Sequence, residues 1–144
     1  MRLLVIIPTY NEIANTTELL LEVFKNIPKN AEILVVDDGL PDGTAGAVKD
    51  AKLGKHGNRL HLLERTKKKG LAGAYITGFK REIVHGYGVL CEIDADFSHK
   101  PKYLVDLCDA IQTYDVAIGS RNIRGGSVER RSALRNCISK GGWF

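Results

Sequence analysis

Two aspartates separated by one residue, Asp94 and Asp96, are the part of this sequence best suited to chemistry. They follow the apolar run 89–93, which has the composition of a buried strand, and alternate residues of an extended chain share a face. Two carboxylates on one side repel each other unless a cation lies between them. Because Mg²⁺ is commonly held by one or two carboxylates and phosphate oxygens, the pair indicates a divalent cation carrying a diphosphate. Solvated turn residues are the alternative for this pair taken alone.

Three other polar clusters also follow apolar runs, at residues 8–12, 37–39 and 119–121. If all the runs are strands of one parallel sheet, their carboxyl ends meet at a single edge. Ligands of open α/β sheets bind beyond that edge. We therefore expect the clusters to form one site with the acidic pair. His99 has no partner at metal-ligand spacing, so we interpret it as a turn residue.

The elements that must position these residues alternate between strand and helix. Short apolar runs rich in β-branched residues predict strands at 3–7, 33–36, 60–63, 89–93 and 116–118. Helical spacing of apolar residues predicts helices after a cap at Asn15, over 44–52 and 71–84, and from Pro101. Small residues on the third helix, including Gly78, indicate close approach to another backbone. The alternation predicts an α/β fold, a mostly parallel sheet with helices on both faces.

The composition is that of one soluble or peripheral domain. With 144 residues, of which 44% are hydrophobic, the chain is long enough to bury a core. The run at 3–7 is too short for a signal peptide, and no stretch approaches the roughly 18 apolar residues of a spanning helix. The cysteines match neither a zinc site nor a disulfide framework, which favours a reducing compartment with Cys91 and Cys108 packed as small hydrophobes.

Positive charge is concentrated at the end of the sequence. The whole chain has a net charge of +4, whereas residues 121–144 contain six basic residues against Glu129 alone. This asymmetry indicates an anionic partner at that end, which could be a phosphate, a nucleic acid or an acidic membrane surface. A solvated basic face explains the charge about equally well.

Four sequence runs together resemble the family 2 inverting glycosyltransferases, and within them the polyprenol (dolichol) phosphate mannose synthases. The runs occur in the family's order, at residues 5–12, 35–44, 94–101 and 119–121. The resemblance covers nearly the whole chain. It implies a GT-A nucleotide-diphospho-sugar transferase fold, which is Rossmann-like, and an enzyme that moves mannose from GDP-mannose to dolichyl (polyprenyl) phosphate with inversion.

The resemblance also implies roles for individual residues. Asp94 and Asp96 would ligate Mg²⁺ or Mn²⁺ at the diphosphate and, with Arg121, form the catalytic set. The nucleotide sugar would be held by residues of several loops, namely Pro8, Tyr10, Glu12, Val36 and Asp38, with Ala95 beside the metal. Arg121, Arg135 and Ser139 would face the phosphate of the lipid acceptor.

We expect residues 1–144 to form a single GT-A-like domain that is incomplete at its C-terminus, with 121–144 as a basic acceptor-binding segment. By the resemblance, the protein would be peripheral on the cytoplasmic side of a membrane and would contact the membrane surface through that segment. A membrane-anchoring segment or subunit would lie outside this chain. Nucleic acid is not an expected partner.

Three alternatives stay open at this point. One is a polyprenyl phosphate glucosyltransferase that uses UDP-glucose, and another is a truncated, non-catalytic nucleotide-binding relative. The third is a phosphoacceptor signalling domain, because the acidic pair Asp37 and Asp38 after a strand also suits a receiver. Against the receiver, this pair follows the second predicted strand, and no lysine follows the fifth.

Overall fold

The computed structural model describes residues 2–39, 42–66, 70–121 and 123. The described strands are β1 (Leu3–Thr9), β2 (Glu32–Asp37), β3 (Leu60–Glu64) and β4 (Val89–Glu92). The described α-helices are α1 (Ile13–Asn26), α2 (Thr44–Ala51), α3 (Gly70–Ile83) and α4 (Leu104–Ala110). Short 3₁₀ helices at Gly57–Arg59 and Pro101–Tyr103 precede β3 and α4. The predicted alternation of strand and helix is confirmed for these elements.

The strands form one parallel sheet in the order β3-β2-β1-β4. Every residue of β1 is buried, and Val5 pairs with Ile33 of β2 on one side and with Cys91 of β4 on the other. A continuous β-branched run suits this central position because both of its faces are covered. Each fully buried aliphatic side chain contributes about 1.5–3 kcal/mol relative to exposure. β1 is therefore one of the two central strands of the sheet, together with β2.

Helices cover both faces of the sheet, as the sequence predicts. Alternate residues of β1 point to opposite sides, so Val5 and Ile7 pack in the same cluster as side chains of α1, α2 and α4. Leu4 and Ile6 instead pack in a second cluster with side chains of α3. The fold is thus a three-layer α/β arrangement in which α3 alone covers one face within the described residues.

The close approach predicted for the third helix occurs at Gly78. A Cβ atom added there would lie 3.0 Å from Cγ2 of Ile6 and 3.2 Å from its Cδ1. These distances are shorter than normal van der Waals contacts, so only glycine lets α3 sit this close to β1. The register of α3 on the sheet therefore depends on this missing side chain.

Two sequence predictions were wrong in detail. Helix α1 begins at Ile13 with Glu12 at the N-cap position, and Asn15 lies inside the helix. The carbonyl of Glu12 accepts backbone N–H bonds from Asn15 at 3.1 Å and Thr16 at 3.0 Å, so the helix starts at the strand's own exit turn. That turn is made by Asn11, whose φ of 60° is tolerated best by asparagine among non-glycine residues.

The fifth predicted strand, at 116–118, is not formed. The side chains of Val116 and Ile118 are 72% and 82% exposed, so this short apolar run has no buried surface to pack against. Among the described residues no strand pairs with 116–118, although the outer side of β4 is open to a neighbour. An apolar run of three residues therefore did not suffice to specify a strand.

The predicted packing of two cysteines is confirmed. Cys91 and Cys108 are free thiols, and both are half-buried against the core on the α1 side. Burial is the main cause that raises the pKa of Cys91 to about 12, so the thiol stays protonated.

Within the residues that the structure describes, no helix is long and apolar enough to cross a bilayer.

Replacing Gly78 with valine should destabilise the fold. The new side chain would collide with Ile6, and overpacking of this kind costs about 1–3 kcal/mol in unfolding free energy. Urea denaturation monitored by circular dichroism measures the change. Gly46 on α2 is the control, because nothing lies within 4 Å of an added Cβ there and Gly46→Ala should stabilise the helix by about 0.5–1 kcal/mol. Equal stability of Gly78→Val and wild type would contradict the packing described for α3.

Candidate active site

The carboxyl ends of the strands bring three of the four polar clusters to one edge. Thr9 at the end of β1 is paired with Asp37 at the end of β2, and Asp37 is paired with Glu64 at the end of β3. β4 ends at Glu92, and the N–H of Ile93 still donates to the carbonyl of Ile6 on β1 at 3.2 Å. The loops 8–12, 37–39 and 94–96 therefore share this edge, as predicted. Residues 119–121 follow no strand, because the fifth predicted strand is not formed.

Asp37 is a structural carboxylate. Its side chain is buried and accepts hydrogen bonds from Oγ1 of Thr9 at 2.8 Å and from the N–H of Gly39 at 3.0 Å. The N–H of Asp38 donates to the carbonyl of Thr9 at 3.2 Å. These bonds join the exit loops of β1 and β2, so the position of Asp38 is fixed from both sides.

Asp38 forms a buried ion pair with Arg65, a residue that the sequence reasoning missed. Nε of Arg65 donates to Oδ1 of Asp38 at 2.6 Å, and the two side chains are only 8% and 5% exposed. The guanidinium also donates to Oγ1 of Thr77 at 3.3 Å and to the carbonyl of Gly70 at 3.4 Å, both on α3. A lone arginine directly after a strand was the available signal, because β3 ends one residue earlier at the same edge.

Gly39 permits this arrangement. Its φ is +70°, and an added Cβ would lie 2.6 Å from the carbonyl oxygen of Arg65. The N–H of Arg65 donates to the carbonyl of Asp37 at 2.8 Å, which continues the β2–β3 pairing to the edge. A side chain at position 39 would therefore separate the two loops that hold the Asp38–Arg65 pair.

Asp94 is half-buried and is held by a tyrosine from the opposite layer. The phenol of Tyr75 on α3 donates to Oδ1 of Asp94 at 2.9 Å. Burial, and then the bond to Asp94, raises the pKa of Tyr75 far above its usual range, so the phenol remains a donor. The N–H of Asp94 donates to Nδ1 of His99 at 3.3 Å, while Oδ2 lies 3.7 Å from the same nitrogen, beyond hydrogen-bond distance. His99 thus sits in the turn, as predicted, beside the acidic pair.

Asp96 is exposed and ionised at the same edge. Ser98 is the main cause that holds the pKa of Asp96 below its usual range, and its backbone N–H donates to Oδ1 at 2.9 Å. Phe97 makes the intervening turn with a φ of 59°, a conformation that is strained for a bulky residue. Ala95 is buried between the two aspartates, so no other polar side chain separates Asp94 from Asp96.

The donor set at this loop fits a divalent cation that is shared with a substrate. Among the described residues, no group of three or more His, Cys, Asp or Glu side chains is arranged to hold a metal by itself. Asp94 keeps Oδ2 outside its bond to Tyr75, and Asp96 is an exposed carboxylate. Mg²⁺ and Mn²⁺ favour such oxygen ligands when phosphate oxygens and water complete the coordination.

The remaining residues of the predicted nucleotide site occupy the central strands and the first loop. Pro8 and Val36 are paired residues of β1 and β2, and both are buried. The side chain of Val36 packs in the α3-side cluster. Tyr10 is exposed in the loop after β1, and Glu12 starts α1 while its Oε2 accepts a hydrogen bond from Asn15 at 3.1 Å.

The predicted acceptor site is only partly described. Arg121 lies in an exposed turn after the irregular segment 116–120. Arg135 and Ser139 lie outside the described residues. The structure therefore brings Asp38, Asp94 and Asp96 to one edge of the sheet, and the predicted role of the basic segment stays a prediction.

The fold is of the GT-A type, and comparison with known proteins gives the family. The sequence profile of Glycosyl transferase family 2 matches residues 4–142. This chain belongs to that family. Its fold is also similar to that of the mannosyltransferase PcManGT from Pyrobaculum calidifontis in complex with GDP-Man and Mn²⁺, with a TM-score of 0.51, 32% identity, and coverage of 55% of this chain and 24% of that one.

Two curated relatives match over nearly the whole chain. The undecaprenyl-phosphate mannosyltransferase of Micrococcus luteus is 44% identical over 142 residues, which are 99% of this chain and 57% of the relative. The polyprenol monophosphomannose synthase of Mycolicibacterium smegmatis is 46% identical over 140 residues, which are 96% of this chain and 52% of the relative. The chain thus spans about half the length of these relatives.

Removing the cation of the buried ion pair should lower the free energy of unfolding. Arg65→Met would leave the Asp38 carboxylate buried and unpaired, which destabilises proteins by about 3–5 kcal/mol. Chemical denaturation measures the loss, and adding Asp38→Asn should recover part of it because the unpaired charge is gone. Lys49→Met is the matched control, since the Lys49–Glu64 pair is more than half exposed at the lysine and should contribute less than about 1 kcal/mol. Similar losses in both single variants would argue against the pairing.

Proposed function

We propose that this protein transfers mannose from GDP-mannose to polyprenyl (dolichyl) phosphate with inversion, giving polyprenyl phosphate mannose. The observation that carries the proposal is the acidic edge, where Asp94 and Asp96 follow β4 beside the loops of β1 and β2. Support comes from the two relatives, which are an undecaprenyl-phosphate mannosyltransferase and a polyprenol monophosphomannose synthase. Further support comes from the structural neighbour, a mannosyltransferase in complex with GDP-Man and Mn²⁺.

In this proposal Asp94 and Asp96 hold Mg²⁺ or Mn²⁺ at the diphosphate of the donor. The bound metal would act as a Lewis acid for the negative charge that develops on the departing GDP. Pro8, Tyr10, Glu12, Val36 and Asp38 would line the nucleotide side, with Ala95 beside the metal. Because Val36 is buried, a contact from this residue would be made through its backbone.

The acceptor requires positioning more than activation. A phosphate monoester is already ionised, so its oxygen attacks the sugar without a strong general base. Two anionic substrates must nevertheless approach each other, and arginine binds phosphate with a planar, bidentate grip. We assign this role to Arg121, Arg135 and Ser139, within a basic segment 121–144 of the single domain.

The same basic segment would bring the enzyme to its second substrate. A cluster of lysines and arginines is attracted to anionic lipid headgroups by about 1 kcal/mol for each charge near the surface. We therefore place the protein peripherally on the cytoplasmic side of a membrane, where the phosphate of the lipid would lie at the surface.

Transfer can be tested directly with the chain. Incubation with radiolabelled GDP-mannose, Mn²⁺ and a short polyprenyl phosphate in detergent should give labelled lipid that partitions into butanol. Asp96→Ala should lower the rate by about 100-fold or more, because metal stabilisation of charge is worth several kcal/mol. Asp109→Ala on α4 removes an exposed carboxylate away from the site and should leave the rate unchanged.

The absence of lipid product would count against transferase activity of this chain. If GDP still bound in a metal-dependent manner under those conditions, the non-catalytic alternative would take its place. Calorimetry of GDP with and without Mn²⁺ makes this distinction.

Donor choice is a separate prediction. We expect GDP-mannose to support transfer, and we expect UDP-glucose at the same concentration to give little or no glycolipid. Competition between GDP and UDP for the site, measured by calorimetry, checks the same preference at the level of the nucleotide. Faster transfer from UDP-glucose would assign the protein to the glucosyltransferase alternative.

A further inference from the structure

We propose that Tyr75 is a positioning residue that fixes the carboxylate of Asp94 for metal binding, an inference that rests on the proposed function. The two residues lie 19 positions apart in sequence and belong to different layers. Their hydrogen bond, 2.9 Å between the phenol oxygen and Oδ1, links helix α3 to the loop after β4. Groups that orient a metal-binding carboxylate in this way contribute to metal affinity although they do not touch the metal.

The support behind the phenol is rigid. Tyr75 is 9% exposed and belongs to the α3-side cluster that contains Leu4 and Ile6 of the central strand. Its ring stacks on that of Phe79 one helical turn away, with centroids 6.4 Å apart. Because Gly78 lets the helix sit directly on Ile6, the hydroxyl is held at a defined position relative to the sheet.

The bond also selects which oxygen is available. The phenol takes Oδ1 of Asp94, and Oδ2 lies 3.7 Å from Nδ1 of His99 in the turn that follows. Without the phenol, the carboxylate could rotate and present either oxygen. Tyr75 therefore reduces the conformational freedom that a metal ion would otherwise have to remove when it binds.

The test measures Mn²⁺ affinity in the presence of saturating GDP and the absence of acceptor, using the electron paramagnetic resonance signal of free Mn²⁺. Tyr75→Phe keeps the ring and removes the donor, and it should weaken Mn²⁺ binding by about tenfold or more. In the transfer assay the Mn²⁺ concentration for half-maximal rate should rise by a similar factor. The rate at saturating Mn²⁺ should stay close to that of wild type.

Tyr87→Phe is the matched control. Tyr87 is a half-buried tyrosine near the carboxylate of Glu32, which contributes after burial to the raised pKa of the phenol and lies at the start of β2, away from the acidic edge. Its loss should leave Mn²⁺ affinity unchanged. A purely structural role for Tyr75 predicts instead lower thermal stability and a lower maximal rate with no change in metal affinity, and that pattern would overturn the proposal.

A second pair of variants protects the test against poor folding. Para-aminophenylalanine and para-fluorophenylalanine at position 75 have similar shapes, but only the amino group can donate a hydrogen bond. The amino variant should retain tighter Mn²⁺ binding than the fluoro variant, and equal affinities would refute the role. If the wild-type protein bound no Mn²⁺ in the presence of GDP, the proposed function would fail. If Tyr75→Phe bound Mn²⁺ with the same affinity as wild type, only the positioning role of Tyr75 would be removed.

Discussion

Like-charge repulsion at the carboxyl edge of the sheet is the constraint that the rest of the structure must satisfy. Parallel strands deliver their acidic exit loops to the same place, and carboxylates crowded there would repel one another and lose hydration. Each is stabilised by a different partner: Thr9 and Gly39 for Asp37, Arg65 for Asp38, Tyr75 for Asp94 and Ser98 for Asp96. Asp96 stays exposed in this arrangement, and Oδ2 of Asp94 lies outside the bond to Tyr75.

Helix α3 supports both halves of the candidate site. Gly70 and Thr77 of this helix accept hydrogen bonds from Arg65, which holds Asp38, and its Tyr75 reaches Asp94. Both contacts depend on the distance of the helix from β1, and that distance is set by the absence of a side chain at Gly78. A fold that many chemistries can share thus gains its specific site through the placement of one helix.

The four described strands and the helices on both faces could be predicted because they follow local patterns. Continuous β-branched runs mark buried parallel strands, and helical spacing of apolar residues marks their crossovers. The errors have physical causes of their own. Asparagine is a residue type favoured at helix caps, yet the exit turn at Asn11 starts the helix before Asn15. The run at 116–118 has residues typical of strands but no buried surface.

The sequence by itself determined the alternation of elements, the acidic loops after the strands, and the order of motifs that identifies the family. The roles of Asp94 and Asp96 stay predictions drawn from that order. Only the tertiary structure decided which partners hold the carboxylates at this edge of the sheet. Arg65 meets Asp38 across 27 positions and Tyr75 meets Asp94 across 19. Periodicity reports the environment of each segment, whereas such contacts depend on strand register and helix packing, which no single segment contains.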